Sequence, residues 1–181
     1  MPKATIVKMA GRAGGGGNEF AASCDMRFGV QGKTIINQME VPLGILPGGS
    51  GTQRLPRLVG RGRAMEICLA GDDIDAETCE RWGYLNRIFD CAETMSDHVD
   101  ALARRIAGWP SEAIALCKAS INNAELPIEE GLLEEAYLFQ QTLRTEGAQR
   151  NMRRALEVGL QTREGESRMG QLALDFIEAT D

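Results

Sequence analysis

The chain has one histidine, His98, and no cysteine pair at C-x-x-C spacing. A Ser-His-Asp triad would have to use His98. That residue lies in the polar stretch Ser96-Asp97-His98, remote in sequence from every glycine-rich segment, and is expected at the surface. The five cysteines, Cys24, Cys68, Cys79, Cys91 and Cys117, are odd in number and scattered, as expected of small buried thiols in a reduced protein. No apolar run approaches the length of a membrane span, and Met1-Pro2-Lys3-Ala4-Thr5-Ile6-Val7-Lys8 is too short and polar for a secretory leader. A cytoplasmic protein is the expectation. Basic residues are in deficit, 20 Lys and Arg against 26 Asp and Glu, for a formal charge of -6. This balance argues against a nucleic-acid surface, and the local cluster Arg150, Arg153 and Arg154 reads as a solvated helix face. Internal repeats and Pro/Ser linkers are also lacking. The 181 residues are enough to bury a sizeable core, roughly 70% of the unfolded surface by size scaling.

What the chain does have is glycine next to carboxylates. Gly14-Gly15-Gly16-Gly17-Asn18-Glu19 stands near the start, and Gln38-Met39-Glu40 precedes Pro47-Gly48-Gly49-Ser50-Gly51. Glycines at a loop-to-helix junction let bare N–H groups approach a substrate oxygen, and the helix N-terminus adds positive potential. Two carboxylates brought together can divide the roles of proton donor and acceptor. Each motif also has a plainer reading: three glycines make a flexible turn, and a glutamate in a first helical turn simply favours the helix dipole. Two rival chemistries fail on spacing. Ser50 is no nucleophile-elbow serine, because Thr52 stands where glycine is required. The first glycine run is no phosphate-binding P-loop, because the required Lys-Ser/Thr does not follow Gly16.

Periodicity places these motifs on an α/β frame. A buried strand is expected over Ala4–Met9, a helix after the glycine run, a strand over Asp25–Val30, and extended segments at Thr34–Ile36 and Val41–Leu43. A helix near Thr52–Leu58 follows the second glycine loop. Further on, Ala64, Met65, Cys68 and Leu69 mark an amphipathic face, Asp75 caps a short helix through Trp82, and Tyr84–Phe89 reads as a strand. Helical spacing then runs through Val99, Leu102, Ala103 and Ile106, through Leu132, Leu133, Ala136, Tyr137 and Leu143, and through Met169, Leu172, Ala173, Phe176 and Ile177. Residues 1–90 are thus expected as a partial α/β core and 91–181 as a helical region.

The strings Gly15-Gly16-Gly17-Asn18-Glu19-Phe20, Glu40-Val41-Pro42-Leu43-Gly44-Ile45-Leu46-Pro47-Gly48-Gly49, Gly51-Thr52-Gln53-Arg54-Leu55 and Ala70-Gly71-Asp72-Asp73-Ile74, in this order, resemble the enoyl-CoA hydratase/isomerase (crotonase) family over nearly the whole chain. The resemblance implies a spiral of β-β-α units followed by helices. It implies that the Gly16 N–H faces a thioester oxygen, that Gly15 and Gly17 permit the tight approach, that Gly48 lines the acyl pocket, and that Glu19 and Glu40 are the catalytic acid/base pair. Both glutamates together favour hydration of a 2-enoyl-CoA over isomerisation. No metal or redox cofactor is implied, CoA entering as part of the substrate, and trimers or pairs of trimers are the expected assembly. Asn37 and Met39 stand where the family usually has glycine and proline, implying an altered approach to Glu40. The family's usual upstream strands, with a second oxyanion donor and much of the CoA surface, are not found before Met1, and this chain alone is expected to be a poor hydratase. The rival readings are an isomerase or another acyl-CoA enzyme, a noncatalytic assembly subunit and, more remotely, a nucleotide-binding domain.

Overall fold

The computed structural model describes residues 1–43, 45–125 and 128–167. Thr5–Ala101 form one compact unit, and Met1–Ala4 with Leu102–Asp181 form a second.

The first unit is wound from β-β-α passages. Strands β1 (Ile6–Met9) and β2 (Arg12–Gly14) lead into α1 (Gly16–Ser23). Strands β3 (Met26–Val30) and β4 (Ile35–Asn37) lead through a 3-10 turn at Val41–Leu43 into α2 (Gly51–Val59) and α3 (Arg61–Ala70). Then come β5 (Ile74–Asp75), α4 (Ala76–Arg81), β6 (Arg87–Phe89) and α5 (Ala92–Ala107), which belongs to this unit as far as Ala101. Each passage gives one strand to each of two sheets: β1-β3-β6, all parallel, and β2-β4-β5, with β2 parallel and β5 antiparallel to β4. The repeat is one of geometry; the sequence does not repeat because each passage meets different neighbours.

The corner between β3 and β4 is tied by Thr34, whose hydroxyl accepts from the Val30 N–H at 2.8 Å and donates to the Met9 carbonyl. Register in the second sheet sets Gly14 opposite Asn37, so the end of β2 lies beside the segment that leads to Glu40. Buried Leu55 and Val59 of α2, Ala64 and Ile67 of α3, and Ile36 and Ile74 of the second sheet share one core. Removing such apolar area from water is the main force holding these short elements together.

Several expectations change. Val41–Leu43 is a 3-10 turn, not extended: the N–H groups of Leu43 and Ile45 both donate to the Glu40 carbonyl at 3.0 Å, while Pro42 has none to offer a strand. On α3 the inward face is Ala64, Ile67 and Cys68, and Met65 and Leu69 are exposed. Both stripes share Ala64 and Cys68, so spacing alone could not choose between them. His98 is half-buried, its ring 5.4 Å from that of Phe28 and 5.1 Å from that of Phe89, because α5 packs Met95 and Val99 inward and carries the imidazole with them. The cap on α4 is as expected, with Asp75 accepting from the Thr78 N–H at 2.8 Å.

The second unit holds α6 (Ser111–Asn122), a 3-10 turn at Asn123–Glu125, α7 (Ile128–Leu143), α8 (Glu146–Glu157) and α9 (Arg163–Ser167). On α7 the expected stripe is displaced: Leu133, Ala136 and Tyr137 are exposed and Leu138 is buried. Met169, Leu172, Ala173, Phe176 and Ile177 lie outside the described residues. No helix among the described residues is long and apolar enough to cross a membrane.

Candidate active site

Gly15 makes the turn from β2 into α1 with φ 52 and ψ -125, a conformation that side-chain-bearing residues rarely adopt. Its N–H donates to the Asn37 carbonyl at 3.0 Å, and its carbonyl accepts the Glu19 N–H at 3.0 Å to start the helix. Gly16 and Gly17 follow as exposed first-turn residues, and a Cβ on either would meet nothing within 4 Å. First-turn N–H groups have no intrahelical acceptor, so this open face of α1 presents donors together with the positive end of the helix dipole.

Glu19 points the other way from the same turn of helix. It is buried, 6% exposed, and its Oε1 accepts the Gly51 N–H at the start of α2, at 2.8 Å. The carboxylate fills space that side chains would otherwise take: a Cβ on Gly49 would stand 2.5 Å from Glu19 Oε2, and one on Gly51 2.9 Å from Glu19 Oε1. Glu40, half-buried after β4, lies over the glycine turn, its Oε1 2.8 Å from the Cβ position of Gly15. Gly15 is therefore doubly constrained, by its positive φ and by the Glu40 carboxylate. Gly48 has ordinary room, its nearest neighbour being the Leu46 carbonyl at 3.8 Å. Both carboxylates also bear on Cys68 of α3: burial first, then the negative charges of Glu40 and Glu19, push its thiol above the usual cysteine range.

A buried polar chain backs the glycine turn. The fully buried Tyr84 hydroxyl is hydrogen-bonded to the Asn18 side-chain amide, which meets that of Gln38 at 2.9 Å. With its nitrogen turned toward the turn, the Gln38 amide donates to the carbonyls of Gly15 and Asn37 at 3.1 Å each. In this orientation Asn18 turns as well, giving its Oδ1 to one Gln38 amide hydrogen and its Nδ2 to the Tyr84 hydroxyl, while the second Gln38 hydrogen is shared by the carbonyls of Gly15 and Asn37. Arg27 holds Tyr84 from behind: its Nε donates to the Tyr84 carbonyl at 2.7 Å and its Nη1 to the Cys24 carbonyl at 2.6 Å, with the guanidinium 5.4 Å from the Tyr84 ring centroid. Burial raises the Tyr84 phenol well above its ordinary value and lowers the Arg27 guanidinium below its own.

Asn37 fills its position with contacts, donating through Nδ2 to the Gly71 carbonyl at 3.2 Å and to Asp73 Oδ1 at 3.4 Å. Asp73 is in turn held by a two-pronged pair with Arg12, Nη2 to Oδ2 at 2.6 Å. Ser50, ahead of α2, sits at φ 93, a strained value for a residue with a side chain. Its Oγ accepts from Arg54 Nε at 3.2 Å and lies 3.3 Å from Ser23 Oγ, which joins α1 to α2.

The structure thus brings Gly15, Glu19 and Glu40 into one neighbourhood, with Gly49 and Gly51 packed against the Glu19 carboxylate. A Cβ on Gly48, the residue expected to line the acyl pocket, would meet neither carboxylate; Gly49 and Gly51 are the two that Glu19 requires. The alternation Gly49-Ser50-Gly51 was the available signal, since two glycines around one serine suggest close approach by another group. Nothing local marked Tyr84, whose role depends on contacts with residues more than forty positions away.

A family model described as enoyl-CoA hydratase/isomerase matches residues 1–161. A protein described as a probable enoyl-CoA hydratase from Mycobacterium bovis is 35% identical over 154 residues, covering 84% of this chain and 59% of its own length. A crotonyl-CoA hydratase from Syntrophomonas wolfei is 36% identical over 158 residues, covering 87% and 60%. Among solved structures, an enoyl-CoA hydratase from Bacillus anthracis superposes with a TM-score of 0.78 at 27% identity, covering 86% of this chain and 60% of that one. The chain spans about three fifths of the length of these relatives.

Proposed function

Because the chain belongs to the enoyl-CoA hydratase/isomerase family and has its crotonase-type α/β fold, we propose that its site hydrates a 2-enoyl-CoA thioester reversibly through an oxyanion-stabilised enolate. The observation that carries this reading is the placement of two carboxylates around one glycine turn, Glu19 locked by the Gly51 N–H and Glu40 over Gly15.

One carboxylate removes a proton from water as the water oxygen bonds to the β-carbon of the conjugated thioester. The electron pair moves through the α-carbon onto the thioester oxygen, where the Gly16 N–H and the N-terminal end of α1 offset the growing charge. Gly15 and Gly17 leave the oxygen room to approach, and Gly48 lines the acyl side. The other carboxyl group then delivers a proton to the α-carbon, so the sum is addition of one water. CoA takes part only as the carrier of the acyl group. A trimer or pair of trimers in the cytoplasm is the assembly proposed with this activity.

The test is hydration of crotonyl-CoA by the complete gene product, followed as loss of the conjugated-enoyl absorbance. Glu19→Gln and Glu40→Gln are each expected to lower turnover by about 10²–10⁴-fold while acyl-CoA binding persists, since the carboxamide keeps the shape and loses the proton chemistry. No hydration by the unmodified protein would overturn the reading. Unchanged turnover in either variant would remove that glutamate from it.

A further inference from the structure

Tyr84 lies in the loop between α4 and β6, outside the site and closed off from solvent. A buried hydroxyl must find partners, and one pointed into an apolar core would be a liability. Here it meets Asn18, the residue before Glu19, and the Asn18 amide meets Gln38, two residues before Glu40. With the Gln38 amide nitrogen turned toward the glycine turn, and Asn18 turned with it, the chain reaches the carbonyls of Gly15 and Asn37, each 3.1 Å away. The Gly15 peptide carbonyl is one end of the unit whose other end is the Gly16 N–H. Fixing the Gly15 oxygen therefore fixes the direction of the Gly16 donor, because the peptide group is planar.

We infer that Tyr84 is a positioning residue for the oxyanion donor, acting through Asn18 and Gln38 on the Gly15–Gly16 peptide. Arg27 makes the anchor rigid by gripping the Tyr84 carbonyl and the C-terminal carbonyl of Cys24 just past α1. α1 is thus held at both ends by one brace: its first turn through the Tyr84 hydroxyl and its last through the Arg27 guanidinium. The brace touches no substrate atom. It limits how far the Gly16 N–H can tilt as the thioester oxygen gains charge, a stage at which misplacement by about an ångström is costly.

The inference rests on the hydration reading for its catalytic consequence and not for its geometry, so the test has two arms. Tyr84→Phe removes only the hydroxyl. In the first arm, the backbone amide resonances of Gly15, Gly16 and Gly17 in the complete protein are expected to shift in Tyr84→Phe, and equally in Gln38→Met, which breaks the same chain at nearly constant volume. The double variant is expected to shift them no further than Gln38→Met alone, because both act through one path. In the second arm, kcat for crotonyl-CoA is expected to fall by about tenfold to a hundredfold with KM changed less than about twofold, the pattern of a donor misdirected in the transition state. Unmoved glycine resonances in Tyr84→Phe would overturn the positioning role whatever the protein catalyses. Shifted resonances with unchanged kcat would overturn its catalytic consequence. An unmodified protein that leaves crotonyl-CoA untouched sinks the hydration reading, while the resonance arm still decides the geometry. If Tyr84→Phe does not fold, Gln38→Met alone must give the glycine shifts, and their absence there counts against the inference.

Discussion

Glu19 occupies the space that a side chain on Gly49 would fill: a Cβ there would stand 2.5 Å from Oε2 and 3.0 Å from the carboxyl carbon. The carboxylate is pinned at the same time by the Gly51 N–H. Gly49→Ala must therefore push Glu19 off its seat. Because Gly49 lies outside the positive-φ glycines and is exposed, the backbone can take the methyl. We expect turnover to fall by about a hundredfold with little change in the urea midpoint, a split that steady-state kinetics and denaturation on one sample will show.

Gly15 and Gly17 should respond to alanine in opposite ways. At Gly15 the positive φ and the Glu40 carboxylate both oppose a Cβ, and a loss of about 1–3 kcal/mol is expected in chemical denaturation, with activity lost as well. At Gly17 a Cβ meets open space inside a helix, where alanine is favoured over glycine by up to about 1 kcal/mol. Gly17→Ala is expected to stabilise the fold and still impair turnover, because the added methyl stands on the face the thioester must approach. Equal activity in Gly17→Ala and the parent would contradict the placement of the substrate.

Stability should fall on the alkaline side. Burial pushes the Cys79 thiol up to about 12 and raises the Tyr84 phenol above its ordinary value. A group raised in the folded state adds stability that is complete below its unfolded pKa and is lost as pH climbs through the folded one. For Cys79 the window runs from about pH 9, the ordinary thiol value, to about 12. The slope is at most about 1.4 kcal/mol per pH unit for each such group. Urea unfolding from pH 7 to 11 should show the decline, and Cys79→Ala should flatten it; an identical slope in that variant would assign the loss elsewhere.

Asp75 caps α4 through the Thr78 N–H, and bonds from the Thr78 side chain and backbone hold its carboxyl below the usual range. Asp75→Ala is expected to cost about 1 kcal/mol at neutral pH, as N-cap removals do. Because the Asp75 pKa is depressed, its contribution is present above the ordinary aspartate value and lost as pH falls through the folded one. The gap between variant and parent should therefore narrow in acid, which thermal melts at neutral and acidic pH will measure.

Much of this arrangement could be read from the residues. The glycine run, Glu19 and Glu40 stood out for their acid/base and anion-binding chemistry, but only the family resemblance lifts them above the plainer readings; periodicity and turn residues mark β1, β3, β4, β6, α1, α2 and the Asp75 cap and leave β2 and β5 unmarked. What could not be read depends on partners distant in the chain. Spacing allowed Met65 and Leu69 or Ile67 on the inner face of α3, and only the neighbouring sheet decides for Ile67. Val41–Leu43 is apolar enough for a strand, yet the bonds to the Glu40 carbonyl coil it. His98 looked polar by its neighbours, but Phe28 and Phe89 receive its ring. At the site itself, the need for glycine at positions 49 and 51 comes from a carboxylate some thirty residues earlier, which no local pattern records.

Gly60 ends α2 and begins α3 by itself, at φ 83 and ψ 157, with its N–H on the Pro56 carbonyl and its own carbonyl receiving the Ala64 N–H. α2 starts at Gly51, the anchor of Glu19, and α3 carries Cys68, whose thiol feels the charge of both carboxylates. The two rods therefore share one hub with no slack in it. A rotation of a few degrees at Gly60 swings the far end of α2, a nine-residue lever of roughly 13 Å, by close to an ångström. The tolerance of the carboxylate pair to error is thus set in part at a residue that touches neither of them.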